Sequence, residues 1–185
     1  IDLSYLINKI SESDKIKRIR YMTSHPNDMT DSLIECHGQN KKLMPFLHLP
    51  IQSGSNSILQ KMNRKHRVEK YYEIINKLKS SRPDIALSSD FIVGFPGESN
   101  EEFLETIDMV ETVKFNFSYM FKYSSRPGTK AAEFTDQIEE DIKQSRLEKL
   151  IDLQKKITLF NNRNKIGNIE NVLIEKESKK SQSFW

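Results

Sequence analysis

The sequence has 185 residues, of which 36% are hydrophobic and 30% are charged, and its net charge is +3. No apolar run is long enough to cross a membrane as a helix, so we expect a cytoplasmic protein with no membrane partner. Cys36 is the only cysteine, which excludes an internal disulfide. The length fits one domain, with room for a small appendage. Because the sequence starts at Ile1 rather than Met, we expect it to be a piece of a longer protein.

Apolar periodicity predicts an alternation of helices and strands along the chain. The predicted helices are residues 3–10, a segment around 33–34, 68–80, 100–113 and 138–164. The predicted strands are residues 17–23, 45–51, 85–93, 117–123 and 169–175. Successive βα units predict an α/β fold with a parallel sheet, either a barrel or an open sheet, followed by a small β module. Four parallel strands alone would leave unpaired edges, so we expect further strands before Ile1.

Residues 88–99, SSDFIVGFPGES, form the most informative stretch of the sequence. An apolar run predicts a buried strand, the two glycines after it predict a tight turn, and Ser99 predicts a helix start with a capping box. Asp90 lies within the strand among apolar neighbours. A carboxylate in that setting needs a partner, and the hydroxyl of a ligand would supply one.

Polar residues and turn glycines follow four successive predicted strands. In chain order they are Thr23, Ser24 and His25; His48, Gln52 and Ser53; Asp90 and Gly94; and Tyr123, Ser124 and Arg126. Because the carboxyl ends of parallel strands meet at one edge, we expect these residues to surround one ligand. Plainer interpretations stay open: His25 and Arg126 could be turn residues, and His48 could occupy a hydrogen-bonded niche in the core.

Basic residues are concentrated toward the carboxyl end of the chain. Residues 143–185 carry ten Lys/Arg against five Asp/Glu, whereas residues 1–142 have a net charge of −2. A basic segment predicts contact with nucleic acid, although a solvated helix face would have the same composition. The sequence contains no Walker loop, GxGxxG, HExxH or nucleophile elbow. Cys36 stands alone on a helical pattern, which favours a structural thiol over a metal ligand or a nucleophile.

Four segments together resemble one known family. They are RYMTSHP (20–26), HLPIQSGSNSILQKMNRKH (48–66), RPDIALSSDFIVGFPGES (82–99) and FKYSSRPGT (121–129). They are similar to the radical S-adenosylmethionine (SAM) methylthiotransferases, and most of all to the MiaB type, which modifies transfer RNA. Beside these segments the sequence departs from the family pattern at Arg67, where a threonine usually caps the next helix, and at Lys130, where proline is common.

The resemblance implies a fold and a division into domains. Residues 1–134 would be the C-terminal part of a partial (β/α)6 radical SAM barrel. Residues 135–166 would be a long connecting helix, and residues 167–185 would begin a small β domain of the TRAM type, which binds RNA. With that domain adjacent, the basic residues of the C-terminal segment would bind transfer RNA. They are Lys155, Lys156, Arg163, Lys165, Lys179 and Lys180.

The resemblance also implies a SAM site at the carboxyl ends of the strands. Gln52 and Asp90 match positions that hold the ribose hydroxyls, with Ser53 beside them. Arg64 matches the position that pairs with the methionine carboxylate, a role suited to its fork of donors. The backbone of residues 94–96 (Gly94, Phe95 and Pro96) would pack against the adenine.

The family needs cysteines that this sequence lacks. A CxxxCxxC motif holds the 4Fe–4S cluster that binds SAM, and three further cysteines hold a second 4Fe–4S cluster. Cys36 fits neither set. We therefore expect the cluster ligands to lie upstream, and this chain alone to be inactive and to bind no cluster. The whole protein would be a monomer whose partners are SAM and transfer RNA.

The implied reaction is methylthiolation at C2 of an N6-isopentenyladenosine beside the anticodon. A radical derived from SAM would abstract the hydrogen, and the cofactor would supply that chemistry while the protein positions it. Two alternatives stay open. One is a sister methylthiotransferase acting on threonylcarbamoyl-adenosine or on an aspartate of a ribosomal protein. The other is a non-catalytic α/β module that binds SAM or RNA.

Overall fold

The computed structural model of the chain describes residues 2–22 and 25–174. The helices are α1 (Leu3–Ser11), α2 (Asp31–Gln39), α3 (Asn56–Lys61), α4 (Val68–Ser81), α5 (Asn100–Val113) and α6 (Glu140–Arg163). The strands are β1 (Phe46–His48), β2 (Ala86–Val93) and β3 (Phe117–Lys122). Short 3-10 turns lie at Pro26–Asp28 and Lys130–Ala132.

Within the described residues, the strands form one parallel sheet in the order β1-β2-β3. Helices α3 and α4 connect β1 to β2, α5 connects β2 to β3, and α6 follows β3. Parallel strands require such crossover connections, and helices that cover the sheet bury its apolar residues. The predicted α/β fold with a parallel sheet is confirmed.

Two predicted strands are wrong over most of their length. Residues 17–22 contain an isolated bridge, in which Ile19 pairs in parallel with Leu43. The segment lies at the edge of the sheet, where the described chain offers no further strand to extend the pairing. Residues 169–174 have no regular structure, and Ile169 is fully exposed, because no described segment pairs with them. Thr23 and residue 175, the ends of these two predictions, lie outside the described residues.

The predicted strand 45–51 is shortened to Phe46–His48 for a chemical reason. Pro45 and Pro50 have no backbone N–H to give to a neighbouring strand, so regular pairing cannot extend through them. Pairing resumes at Gln52, which forms an isolated parallel bridge with Phe91 of β2. The interruption leaves the chain after β1 free to turn, and the residues of that turn belong to the candidate site.

The two faces of the sheet differ in character. On the helix side, Leu87, Phe91 and Val93 of β2 are buried in the main hydrophobic core. On the other side, Asp90 lies in register with Tyr119 of β3, whose ring is about half exposed. Because side chains alternate along a strand, the same face carries the aromatic residues of β3 and the polar residues of β2. This polar and aromatic face is the one on which the site is built.

The long helix α6 packs on the sheet rather than standing apart from it. Leu150 is fully buried in the core. The Gln154 amide nitrogen donates to the Phe115 carbonyl at 2.8 Å, and the Ser118 hydroxyl donates to the Gln154 amide oxygen at 3.1 Å. Helix α6 therefore covers β3 as the helix of its βα unit. The division at residues 134 and 166 stays a prediction.

Helix α4 begins without a side-chain cap of its own, as the arginine at position 67 predicts. The side chain of Arg67 makes no capping hydrogen bond. Instead, the Asn56 amide oxygen, at the start of α3, accepts from the Val68 backbone N–H at 2.9 Å. The Asn56 amide nitrogen also donates to Glu69 at 2.9 Å. A residue remote in the sequence thus satisfies one of the N–H groups that a helix start leaves unpaired.

Candidate ligand site at the strand ends

A cavity of about 520 Å³ opens at the carboxyl ends of β2 and β3. Its volume lies within the range of small-molecule sites. Of the residues predicted for the site, Gln52 and Asp90 line this cavity together, and Tyr123, Ser124 and Arg126 line it from the segment after β3. The structure therefore brings together polar residues from three successive strand ends.

Asp90 carries a buried oxygen that lacks a hydrogen bond. Among the described residues, no donor bonds to its Oδ1 atom, although the Nε2 atom of His48 lies 3.4 Å away. The Nδ1 atom of His48 is within 2.8 Å of the Ser88 hydroxyl, so the ring occupies the hydrogen-bonded niche predicted as one alternative. Oδ1 is closed to solvent, but the Asp90 side chain as a whole is 25% exposed and lines the cavity, so the carboxylate can accept a hydrogen bond from a ligand hydroxyl there.

Gln52 adopts a backbone conformation that residues with side chains rarely use. Its φ angle is +83°, in the left-handed region, and the residue is 8% exposed. The backbone N–H of Gln52 donates to the Asp90 carbonyl, and its own carbonyl accepts from the N–H of Ile92, both at 2.9 Å. These two bonds hold the strained residue against β2. Such strain is concentrated at binding and catalytic sites.

The residues after Gln52 pack against α5 instead of facing the cavity. The Gly54 backbone N–H donates to the Thr106 hydroxyl at 2.9 Å, and the Ser53 hydroxyl lies 3.4 Å from that same oxygen. A Cβ atom on Gly54 would lie 2.4 Å from the backbone oxygen of Glu105, so only glycine allows this approach. Ser53 is fully buried and does not line the cavity, so the structure does not bring its hydroxyl into the site.

Arg64 lies near the site but does not line the cavity. It is half-buried, and burial lowers the pKa of its guanidinium while the negative charge of Asp90 opposes that change. The backbone N–H of Arg64 donates to the Leu59 carbonyl at 2.8 Å, which closes the turn after α3. The arginine is therefore held beside Asp90 by a short, hydrogen-bonded turn.

The turn at residues 94–97 is held by an ion pair that the sequence patterns do not predict. The Glu98 carboxylate accepts from the Gly94 backbone N–H at 2.7 Å and from Arg146 Nη1 of α6 at 2.6 Å. Burial raises the pKa of Glu98, and the Gly94 N–H and Arg146 oppose that change. Arg146 lies four residues before the buried Leu150 on α6, so the two side chains share one face of the helix. That spacing is the one signal in the sequence that Arg146 points inward.

The predicted adenine-packing residues do not line the cavity directly. Gly94 has a φ angle of +70°, and a Cβ atom there would lie 2.4 Å from the Lys143 side chain. Phe95 is buried, with its ring centroid 5.0 Å from that of Tyr123, which does line the cavity. Pro96 is buried in the same turn. Residues 94–96 thus support the cavity wall from behind.

Two histidines lie side by side beneath the same edge. The Nδ1 atom of His66 is 3.2 Å from Nε2 of His25, and the rings are nearly perpendicular with centroids 4.8 Å apart. The Nε2 atom of His66 is 3.4 Å from the Ile51 carbonyl oxygen. His25 was predicted among the residues at the strand ends. His66 was not, because nothing local indicates that it is buried.

The predicted RNA-binding residues that the structure describes are exposed. Lys155 and Lys165 pair with Asp152 at 3.1 Å and with Glu170 at 2.8 Å. Lys156 and Arg163 are exposed on α6. The remaining two, Lys179 and Lys180, lie outside the described residues.

Among the described residues, no three His, Cys, Asp or Glu side chains are grouped as metal ligands would be. Cys36 is buried, and burial, together with the charge of Asp2, raises the pKa of its thiol. Its sulfur lies 3.5 Å from the Asn8 amide oxygen, as in a packed structural cysteine. None of the described helices is both long and apolar enough to span a membrane.

Comparison with known proteins matches this chain to one family. The sequence model of the Radical SAM superfamily matches residues 1–110. The chain is 56% identical over 178 residues to a tRNA-2-methylthio-N(6)-dimethylallyladenosine synthase of Ehrlichia ruminantium (strain Welgevonden), covering 96% of this chain and 40% of that protein. It is 52% identical to the protein of the same name from Zymomonas mobilis, covering 98% and 41%. The chain thus spans about 40% of the length of these relatives.

Two solved structures share the fold. One is coproporphyrinogen III oxidase from Escherichia coli, described as a radical SAM enzyme, with a TM-score of 0.66 at 17% identity. The alignment covers 84% of this chain and 36% of that one. The other is the radical SAM methyltransferase TsrM from Kitasatospora setae, with a TM-score of 0.52 at 11% identity over 64% of this chain and 24% of that one.

Proposed function

This chain belongs to the radical SAM superfamily, and on that premise we propose that it is part of a transfer-RNA methylthiotransferase acting on N6-isopentenyladenosine. The observation that carries the proposal is the 56% identity to a dimethylallyladenosine synthase over nearly the whole chain. The name of that relative favours the isopentenyladenosine enzyme over the sister methylthiotransferases and over a non-catalytic module. The site geometry agrees with a small-molecule cofactor bound at the strand ends.

The cavity residues fit SAM by their chemistry. The partly exposed carboxylate of Asp90 suits a ribose hydroxyl, and Gln52 lines the same cavity with an amide that can donate and accept. Arg64, held near Asp90, would pair with the methionine carboxylate. Residues 94–96 would support the adenine through the cavity wall. When bound, SAM and a 4Fe–4S cluster would supply the radical chemistry, and these side chains would bind and orient the cofactor.

We propose that the cluster ligands come from elsewhere in the longer protein. The chain has one cysteine, and a SAM-binding cluster needs three thiolates. We also propose two clusters in the whole protein, a monomeric state and a cytoplasmic location. Residues 1–134 would form the C-terminal part of the barrel, 135–166 the following helix and 167–185 the start of an RNA-binding TRAM domain. The chain alone would then be inactive.

SAM affinity tests the proposed site. In the longer protein with its clusters reconstituted, Arg64→Ala should weaken SAM binding by about 1.5–3 kcal/mol, since the variant cannot form the hydrogen bond to a charged group. Asp90→Asn should have a similar effect, because the amide lacks the charge that the ribose hydroxyls would bond to. Calorimetry gives both values. Arg67→Ala is the matched control, because that side chain is exposed and pairs with Glu69. Equal affinities for all three variants and the parent would refute the site.

RNA binding tests the basic segment separately. Lys156→Ala and Arg163→Ala should weaken transfer-RNA binding. Each should also lower the slope of log affinity against log salt by about 0.7–0.9 for every phosphate that the variant no longer neutralises. Lys70→Ala on α4 is the control for a change in charge alone, since Lys70 pairs with Glu73. An unchanged salt slope in both α6 variants would contradict the proposed RNA binding.

A further inference from the structure

The His25–His66 pair is a partly buried polar group that the proposed cofactor contacts do not use. His66 is 4% exposed and immediately precedes the loop into α4. His25 precedes the 3-10 turn at Pro26–Asp28, and its Nδ1 atom accepts from the Asn27 backbone N–H at 3.2 Å. Each ring therefore has one nitrogen at a backbone group, the Asn27 N–H for His25 and the Ile51 carbonyl for His66, and its other nitrogen at the partner histidine.

The backbone partners determine where each proton sits. Because the Asn27 N–H donates to Nδ1 of His25, the proton of the neutral His25 ring is on Nε2. That N–H faces Nδ1 of His66 at 3.2 Å, which must then be the acceptor. The proton of His66 is consequently on Nε2, where it donates to the Ile51 carbonyl at 3.4 Å. A proton added to Nδ1 of His66 would place two donors face to face.

This chain of hydrogen bonds joins the segments that carry the proposed SAM contacts. Ile51 directly precedes Gln52, and His66 lies two residues after Arg64. The side-chain amide of Asn27 also donates to the Lys65 carbonyl at 3.3 Å, which ties the same two loops a second time. Losing the pair would therefore release the Arg64 loop from the strand end at Ile51 and leave the Asn27–Lys65 bond as its remaining tie to the 3-10 turn.

The surroundings keep His66 neutral. Burial lowers the pKa of His66, and the nearby His25 and Arg64 lower it further, while the bond to the Ile51 carbonyl opposes them. Protonation therefore becomes significant only on the acid side of the ordinary histidine range.

We propose that the His25–His66 pair is a positioning device for SAM: it holds Arg64 and Gln52 in place, and protonation of His66 weakens SAM binding. The inference rests on the proposed function. Neither histidine contacts the ligand in this arrangement, so both act through the residues that they hold. The affinity for SAM should then fall as the pH is lowered, and the cause is protonation within the histidine pair rather than a change in the cofactor.

The first experiment measures SAM dissociation constants by calorimetry from pH 8 to pH 5.5 in the longer protein with its clusters reconstituted. The parent should lose affinity in acid, by up to about tenfold per pH unit for one linked proton. The double variant His25→Gln/His66→Gln has no imidazole at either position of the pair, so its loss of affinity in acid should be clearly smaller than that of the parent. His37→Gln removes a buried histidine of α2 and should keep the parent's loss of affinity in acid. An equal loss in the double variant would overturn the proposal.

A pair of single variants separates positioning from simple packing. His66→Gln retains an N–H that can reach the Ile51 carbonyl, so at pH 8 its affinity should stay within about threefold of the parent. His66→Phe keeps the ring volume without hydrogen bonds and should weaken SAM about tenfold, the effect of removing one hydrogen bond. Equal affinities of the two variants would overturn the proposal.

A second measurement does not depend on SAM. Nitrogen-15 imidazole spectra of the longer protein should show the Nε2–H tautomer for both His25 and His66 at pH 8, and an Nδ1–H tautomer at either would overturn the positioning device. If SAM binds at no pH, the proposed function fails, and the positioning device fails with it. If SAM binds with the same pH dependence in the parent and the double variant, only the positioning device fails.

Discussion

Replacing Arg146 by methionine should destabilise the fold far more than an ordinary change in a helix. The Glu98 side chain is 0% exposed, and Arg146 provides its charged partner at 2.6 Å. Methionine keeps the apolar stem that packs near Phe103 but leaves the carboxylate buried without that partner. Breaking a buried ion pair from one side typically costs about 3–5 kcal/mol. We expect a loss in that range.

Replacing Glu98 by glutamine should lower the free energy of unfolding less than replacing Arg146 by methionine. In Glu98→Gln the guanidinium of Arg146 loses its counter-charge, but its side chain is 10% exposed, against 0% for Glu98, and it still donates to the backbone oxygen of residue 98 at 2.9 Å. The expected cost is about 1–2 kcal/mol, the value of a hydrogen bond to a charged group that is partly retained. The double variant should be little worse than Glu98→Gln alone, because no charge is then left unpaired.

Urea unfolding followed by circular dichroism at pH 7 gives all three free energies. In Arg146→Met the deficit should shrink toward about pH 5, because a buried carboxyl with a raised pKa contributes most stability where it is protonated and loses it as the pH rises. An Arg146→Met cost below about 1 kcal/mol, or additive effects in the double variant, would refute this account of the pair.

Two further predictions concern the core. Burial and the nearby Arg82 lower the pKa of His37 to about 4 from 6.5, so stability should be complete above pH 6.5 and fall by up to about 3 kcal/mol as the pH drops through 4. His37→Gln should remove that component of the acid unfolding curve, and an unchanged curve would count against it. Gly54→Ala should cost about 1–3 kcal/mol in urea unfolding, since the added methyl group meets the α5 backbone. A neutral result would show that α5 can move away.

Features with a local signal were predictable from the sequence. Ser99 and Glu102 form both bonds of the predicted capping box, at 3.2 and 2.7 Å, so α5 begins where its sequence indicates. The parallel sheet followed from the alternation of strands and helices, and Asp90 was recognised as a carboxylate needing a partner. The predicted strand 45–51 was too long, although the two prolines around β1 are a signal in the sequence for its shorter length.

Features that depend on distant residues were not predictable. Glu98 and Arg146 are far apart in the sequence, and only the packing of α6 on the turn reveals that each is buried with the other. His66 likewise looks like a surface residue among basic neighbours until the fold places it against His25. Predicting such pairs requires the tertiary arrangement, since one sequence contains no local signal for a long-range contact.

The start of α4 also has a consequence for how this sequence can change over time. Arg67 is tolerated at the cap because Asn56 accepts the Val68 N–H in its place. In a chain with threonine at position 67, losing the amide at 56 would leave a cap in place. In this chain the same loss would leave the Val68 N–H without a side-chain acceptor, at a cost of about 1 kcal/mol. The order of substitution matters: the amide at position 56 has to be present before threonine at 67 is given up, and afterwards position 56 is the one that cannot vary without loss of the cap.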